Sequence, residues 1–195
     1  MSAVSMPTLP GEGFALRAPN VTDRAAYQQL GRTPGIVRAF GGDTPLDLSI
    51  SDDDASAWYE TAIAAPHLWV IEVAGRFAGT ARLHSLNAHD QRVAYAIGIL
   101  DPALLGQGIG TKVTRLVLDY AFREMGLHRV GLRVLAMNFR AIRCYEKCGF
   151  VVEGRERESG RVDGVRVDDI IMGLIRPDWE RLTLSAEGRH GERTR

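Results

Sequence analysis

The segments Leu105-Gly106-Gln107-Gly108-Ile109-Gly110-Thr111 and Asn138-Phe139-Arg140-Ala141-Ile142-Arg143-Cys144-Tyr145-Glu146-Lys147-Cys148-Gly149-Phe150 decide how this chain is read. In the first, three glycines alternate directly after an apolar run from Tyr95 to Leu100. Glycine permits backbone conformations that a Cβ forbids and lets a ligand approach the main chain. The residues that follow have helical spacing. Ile109, Val113, Leu116, Val117, Tyr120 and Ala121 share one face, and Lys112, Arg115, Asp119 and Arg123 the other. Gly126 is a stop signal. A strand, a glycine turn and a helix N-terminus together make an anion site, because the first helical N–H groups have no internal partner and the dipole adds positive charge. On these glycines alone, a phosphate cradle and a plain turn opening a helix both fit.

Two commoner phosphate motifs fail on the letters. The dinucleotide fingerprint needs a glycine where Thr111 stands, and the P-loop needs four residues between its glycines and then Gly-Lys-Ser/Thr.

Outward from this segment, composition sets bounds. A chain of 195 residues is expected to form one domain. With 24 basic and 24 acidic residues the net charge is zero, which argues against a general nucleic-acid partner. No apolar run reaches membrane-spanning length and no secretory signal opens the chain, so the expectation is a cytoplasmic protein with no membrane partner. Cys144 and Cys148, four residues apart, read as free thiols of a reducing compartment, and a zinc site would need more ligands. No metal ligands are expected.

Residues 1–12 read as a flexible leader, 13–179 as a single domain, and 180–195 as a disordered tail rich in Ser, Gly, Arg and Glu. Within the domain, Phe14 to Arg17 reads as a strand and Thr22 to about Leu30 as a helix. Residues 31–50, rich in Gly and Pro, are expected to be irregular and to contribute to an acceptor site. Ser51-Asp52-Asp53-Asp54 reads chiefly as the capped, acidic start of a helix, with attraction of a cationic substrate as the alternative. Strands follow at Leu68–Val73, Phe77–Leu83, Gln91–Leu100, Arg129–Ala136, Val151–Arg157 and Val165–Ile175, with a short helix from Phe139 to Cys148. The order predicts an α/β (α+β) fold: a mixed, mostly antiparallel sheet of about seven strands, helices on both faces, and one parallel pair across residues 92–136.

This order and these residues resemble the GCN5-related N-acetyltransferase (GNAT) superfamily. Its glycine motif aligns with Leu105, Gly106, Gln107, Gly108, Ile109 and Gly110, and its Asn-x-x-Ala-x-x-x-Tyr-x-x-x-Gly-Phe motif with Asn138, Ala141, Tyr145, Gly149 and Phe150. Leu16-Arg17 and Asp168 to Leu174 resemble the branch containing the ribosomal-protein N-terminal acetyltransferases. One position departs from the pattern: Leu105 stands where Gln or Arg is usual.

The resemblance implies acetyl-CoA, or a related acyl-CoA, as donor. It assigns the pyrophosphate to the N–H groups of Gln107, Gly108, Ile109, Gly110 and Thr111. It assigns the pantetheine arm to backbone at Gly98, Ile99 and Leu100, in a gap between splayed strands, and to Asn138. Arg140 and Arg143 are candidates for the outer phosphate, with a solvated helix face as the equal alternative. Tyr145 takes the role of general acid on the CoA thiolate, since a phenol is protonated at neutral pH. A backbone N–H near Ile99 or Leu100 is a candidate for stabilising the carbonyl oxygen.

The general base is not legible. Relatives carry a glutamate on the strand that here reads Val93-Ala94-Tyr95-Ala96, and His84, His89, Asp90 and Asp101 are unspecific substitutes. A covalent route through Cys144 would need an activating histidine that no local pattern supplies. Direct transfer to a primary amine is therefore the leading expectation, the acceptor being a small-molecule amine or a protein N-terminus. An acyl-CoA-binding module without turnover and a generic nucleotide-binding domain are the alternatives. The outer strands are where a homodimer would pair.

Overall fold

The computed structural model describes residues 6–191, with side chains to residue 185. The elements run β1 (Leu9–Gly11), β2 (Phe14–Arg17), α1 (Thr22–Leu30), α2 (Pro34–Ala39), α3 (Asp52–Ala64), β3 (Leu68–Val73), β4 (Arg76–Asn87), β5 (Arg92–Ile99), α4 (Ile109–Asp119), β6 (Arg129–Leu135), α5 (Phe139–Glu146), β7 (Val151–Val162), β8 (Val165–Ile175) and α6 (Arg176–Gly191). They form one eight-stranded sheet in the order β1-β2-β3-β4-β5-β6-β8-β7. Every neighbouring pair is antiparallel except β5 and β6.

Side-chain alternation sorts the sheet into two faces. Val93 and Tyr95 of β5 and Val130, Leu132 and Val134 of β6 enter the main core with Val113, Val117 and Leu118 of α4, Tyr145 of α5, and Trp179 of α6. The opposite face carries Phe77, which α1 and α3 cover through the stacked pair Tyr27 and Trp58. α4 is amphipathic as read, and a π-helical turn, Tyr120–Glu124, prolongs it to Glu124, two residues short of Gly126.

β5 and β6 pair only at Arg92↔Arg129, Val93↔Val130 and Ala94↔Gly131. Beyond Ala94 the two strands part. Each stays paired on its other side, β5 with β4 as far as Ile99 and β6 with β8 as far as Leu135. The gap therefore opens inside a sheet that is otherwise continuous.

Three expectations need correction. Leu9–Gly11, placed in the flexible leader, is a strand paired with Phe14–Leu16, and Trp69 Nε1 donates to Pro7 O at 3.0 Å. An edge strand tolerates Pro10 because the missing N–H would face outward. Residues 1–5 lie outside the described residues. The tail expected to be disordered continues as α6, tethered where Trp179 stacks on Phe122 at 5.2 Å and donates to Asp119 at 3.1 Å. One buried aromatic anchors a helix whose own sequence is polar. Residues 192–195 lie outside the description. Residues 31–50 include the short helix α2, started by Pro34 at its first position.

Leu16-Arg17 has a structural role. Leu16 is fully buried, and Arg17 holds the buried Asp23 carboxylate through two hydrogen bonds of 2.8 Å and Glu72 through one of 2.6 Å. Among the described residues, no helix is long and apolar enough to cross a membrane and no His/Cys/Asp/Glu cluster could hold a metal ion.

Candidate active site

A cavity of about 560 Å³ occupies the gap between β5 and β6. Its walls come from both faces of the sheet. On the α4 side lie Tyr95, Ile97, Ile99, the glycine turn, Arg143, Cys144 and Tyr145. On the α1–α3 side lie Ile36, Phe40, Ala96, Arg133, Leu135 and Asp169. The cavity thus passes through the sheet.

The glycine turn has the form read from its letters. Gly106 and Gly108 have φ of 81° and 80°, values that a Cβ makes costly. Gly108 is the N-cap of α4 and has no side chain to fold back on the helix. The first helical bond runs from Lys112 N–H to Gly108 O at 3.1 Å. Among the described residues, the amides of Gln107, Gly108, Ile109, Gly110 and Thr111 donate to no acceptor. The Gln107 side chain turns away, its Nε2 donating to Ala103 O at 2.5 Å. The turn is therefore a row of unsatisfied donors at the positive end of a helix, an arrangement suited to an anion. Arg140, Arg143 and Lys147 bring three cationic side chains to the same cavity.

Backbone alternation sharpens the β5 assignments. Leu100 N–H donates to Ala78 O at 2.8 Å, so it faces β4 and is not free. In an antiparallel ladder, alternate residues point their N–H and C=O groups to opposite sides. The groups of Ile97 and Ile99 consequently face the gap, and Gly98 shares the β4 side with Leu100. Gly98 is needed for another reason: a Cβ there would lie 2.8 Å from Phe40 Cζ.

Asn138 also has a duty within the fold. Its Oδ1 accepts from Ala141 N at 3.1 Å, capping α5, and its Nδ2 donates to Ala39 O at 3.3 Å, tying α5 to the end of α2.

Tyr145 is buried, with its ring edge-to-face against Tyr95 (centroids 6.4 Å apart) and Phe150 (5.8 Å). Among the described residues, nothing hydrogen-bonds its hydroxyl, and the only fully buried unpartnered side-chain polar atom is His67 Nδ1. The Tyr145 hydroxyl is thus in reach of the cavity. Burial pushes its pKa above the ordinary phenol value, with Cys144 and Cys148 adding to the rise, so the group is a proton donor throughout the neutral range. The neighbouring Tyr95 hydroxyl is fixed to Thr114 Oγ1 at 3.1 Å and Thr114 to Gly110 O at 2.7 Å, which ties the Tyr95 phenol to the glycine turn.

The structure brings Ile99, Leu105, Gly106, Gly108, Ile109, Gly110, Thr111, Asn138, Arg140, Arg143 and Tyr145 around one cavity. Gly98, Leu100 and Gln107 border it without lining it. None of the substitute bases does. His84 bonds Ser85, His89 bonds Asp90, Asp90 accepts from Asn87, and Asp101 caps Ala103. The carboxylate in the cavity wall is instead Asp169, which accepts from Arg133 at 2.7 Å and Ser159 at 3.0 Å. Sequence reading named none of Asp169, Arg133, Lys147 and Phe40 singly, although Phe40 lies in the 31–50 segment expected to contribute to the acceptor site, Lys147 in the Asn138–Phe150 run and Asp169 in the Asp168–Leu174 run.

Comparison with known proteins agrees with this geometry. The acetyltransferase (GNAT) domain matches residues 14–151. The chain is 37% identical over 106 residues to the Probable N-acetyltransferase YjcK of Bacillus subtilis and 36% identical over 111 residues to the Spermidine N(1)-acetyltransferase of Escherichia coli. These alignments cover 54% and 57% of this chain and 59% of each relative, so the chain spans about six tenths of the length of the curated relatives it matches. Among solved structures, spermidine N-acetyltransferase from Vibrio cholerae in complex with CoA and spermine superimposes with a TM-score of 0.72 at 25% identity, covering 86% of this chain and 98% of that one. The glycine turn, the parted strands and the Asn138–Phe150 run all fall inside the matched residues, and the chain belongs to the acetyltransferase (GNAT) domain family.

Proposed function

We propose that this protein is an acyl-CoA-dependent N-acyltransferase that moves an acetyl, or short acyl, group directly to a primary amine. The observation that carries the reading is the cavity through the sheet, bordered by five unsatisfied amides and lined by Tyr145. The amides from Gln107 to Thr111 receive the donor's pyrophosphate, and Arg140, Arg143 and Lys147 its remaining phosphate charge. The gap-facing backbone of Ile97 and Ile99 pairs with the pantetheine arm, and an N–H of this pair stabilises the carbonyl oxygen as the amine attacks. Tyr145 then gives its proton to the departing thiolate. Leu105 adds an apolar contact and no polar one.

The acceptor enters from the α1–α3 face, where Arg133 and Asp169 stand. Relatives named as spermidine acetyltransferases favour a small polyamine-type amine over a protein N-terminus. The two free thiols fit a cytoplasmic protein.

Release of free CoA thiol from acetyl-CoA, measured across a panel of polyamines, aminoglycosides, amino acids and N-terminal peptides, tests the reading. Turnover on at least one amine is expected. Tyr145→Phe should lower kcat about a hundredfold and leave acyl-CoA affinity nearly unchanged; equal kinetics would remove Tyr145 from the mechanism. One observation favours a second reading, acyl-CoA binding without turnover: β5 carries no acid, and no candidate base of the adjoining loops reaches the cavity. CoA raising the melting temperature while every amine stays inert would establish it.

A further inference from the structure

We propose that Cys144 and Cys148 form a redox-responsive thiol pair, built against the first turn of α4, that takes low-molecular-weight disulfides as its oxidant and weakens donor binding when oxidised. The acyl transfer described above uses neither thiol. Yet both sulfurs converge on one residue of the glycine turn. Cys144 Sγ lies 3.3 Å from Thr111 Oγ1, and the Cys148 S–H donates to Thr111 O at 3.6 Å. Cys144 also sits beside the open side of Gly110, where a Cβ would be 3.6 Å from its sulfur. Cys144 lines the cavity and is partly exposed, whereas Cys148 is buried.

The two thiols differ in a way that gives each a role. The neighbouring Cys148 thiol holds the Cys144 thiol below its usual range, with Thr111 beside its sulfur and the positive charge of Lys147 adding to the effect and burial opposing it. The neighbouring Cys144 and burial push Cys148 up, against a smaller opposing effect of Arg115. Cys144 is the attacking thiolate and Cys148 the resolving thiol. Four residues of helical rise separate them by roughly 6 Å, at the long end of the range that a disulfide spans. Cys148 lies just beyond Glu146, the last residue of α5, and its N–H bonds Tyr145 O at 2.9 Å, so this end can tighten without breaking the helix interior.

In the reaction, the Cys144 thiolate attacks one sulfur of the external disulfide and expels a small thiolate, which takes a proton from solvent. Cys148 then loses its proton, attacks the Cys144 sulfur and expels the second small thiol. The protein pair is oxidised by two electrons and the external disulfide is reduced to two thiols. The new bond pulls both sulfurs off Thr111 and strains the end of α5 that carries Tyr145. The consequence for donor affinity rests on the donor reading above.

The test incubates the full chain with oxidised glutathione and follows intact mass and mapped peptides. The wild type should become two hydrogens lighter, reversibly with dithiothreitol, and its CoA Kd should rise about tenfold. Cys148→Ser should stop at a mixed disulfide on Cys144. Iodoacetamide labelling of the native wild type, which needs no variant, should modify Cys144 at least about tenfold faster than Cys148. Equal labelling rates, or Cys148→Ser carrying no glutathione on Cys144, would overturn the thiol pair, as would an intramolecular disulfide that leaves CoA affinity unchanged in a protein that binds CoA. If the disulfide forms and CoA neither binds nor slows labelling of Cys144, the thiol chemistry stands and the donor reading fails.

Discussion

α3 and α4 begin in opposite ways. α3 opens on Ser51, whose hydroxyl accepts from Asp54 N at 3.0 Å, and three aspartates fill its first turn. The orphan amides and the positive dipole end are answered from within the chain. α4 opens on Gly108, with no capping side chain and no acid in its first turn, and its leading amides face a cavity. Each helix start has the same physical need, and only one meets it locally. The contrast teaches that an anion site is recognised by what the chain withholds. Glycines allow the turn, but the missing cap and missing acids leave the charge for a ligand to complete.

Making α4 resemble α3 should break the contrast with the largest effect. Gly108→Asp places a carboxylate at the empty N-cap, so CoA affinity measured by calorimetry should fall tenfold or more, about 1.4 kcal/mol. Unchanged affinity would mean that the amides hold no phosphate. Conversely, Ser51→Ala should cost about 1 kcal/mol of stability in chemical denaturation and leave CoA affinity as it was. A loss of CoA binding there would give α3 a part in the site that the present reading denies it.

The smallest effect comes from pH. The neighbouring Cys148 thiol holds Cys144 below its usual range. As pH rises through the Cys144 titration, a negative charge forms beside the glycine turn. CoA affinity should therefore be weaker above that titration than below, by about threefold. The phosphates titrate too, so the informative quantity is the difference between wild type and Cys144→Ser, which should vanish at low pH. Parallel pH profiles would show that Cys144 does not ionise there.

The remaining stability test lies away from this comparison. Arg17→Ala strands the buried Asp23 carboxylate and should cost about 3 kcal/mol, with little change in CoA affinity. This marks Leu16-Arg17 as part of the frame.

What was legible in the sequence was local. The glycine turn, the amphipathic α4 and the Asn138–Phe150 run are each contiguous, and their spacing alone predicts a glycine turn opening a helix and a phenol on a short helix, while the choice of a phosphate cradle over a plain turn came from the family resemblance. The parting of β5 from β6 was implied by family resemblance, and the ladder, which stops at Ala94 and Gly131, has that form. What escaped was whatever depends on register or on distant segments. Whether Leu100 or Ile99 faces the gap is fixed by the pairing of Leu100 with Ala78, which no local pattern encodes. Phe40, Arg133 and Asp169 meet only because α2, β6 and β8 converge. β1 has no hydrophobic period, and α6 is held by Trp179, so both read as loose ends although the fold orders them.

The central claim is that the amides from Gln107 to Thr111 grip a diphosphate. An amide-resolved NMR titration with CoA tests it in one spectrum, because the capped start of α3 serves as the internal reference. The amides of Gln107, Gly108, Ile109, Gly110 and Thr111 should shift together and saturate, while those of Asp52, Asp53 and Asp54 stay still. Saturable binding that leaves the five amides unmoved would contradict the account.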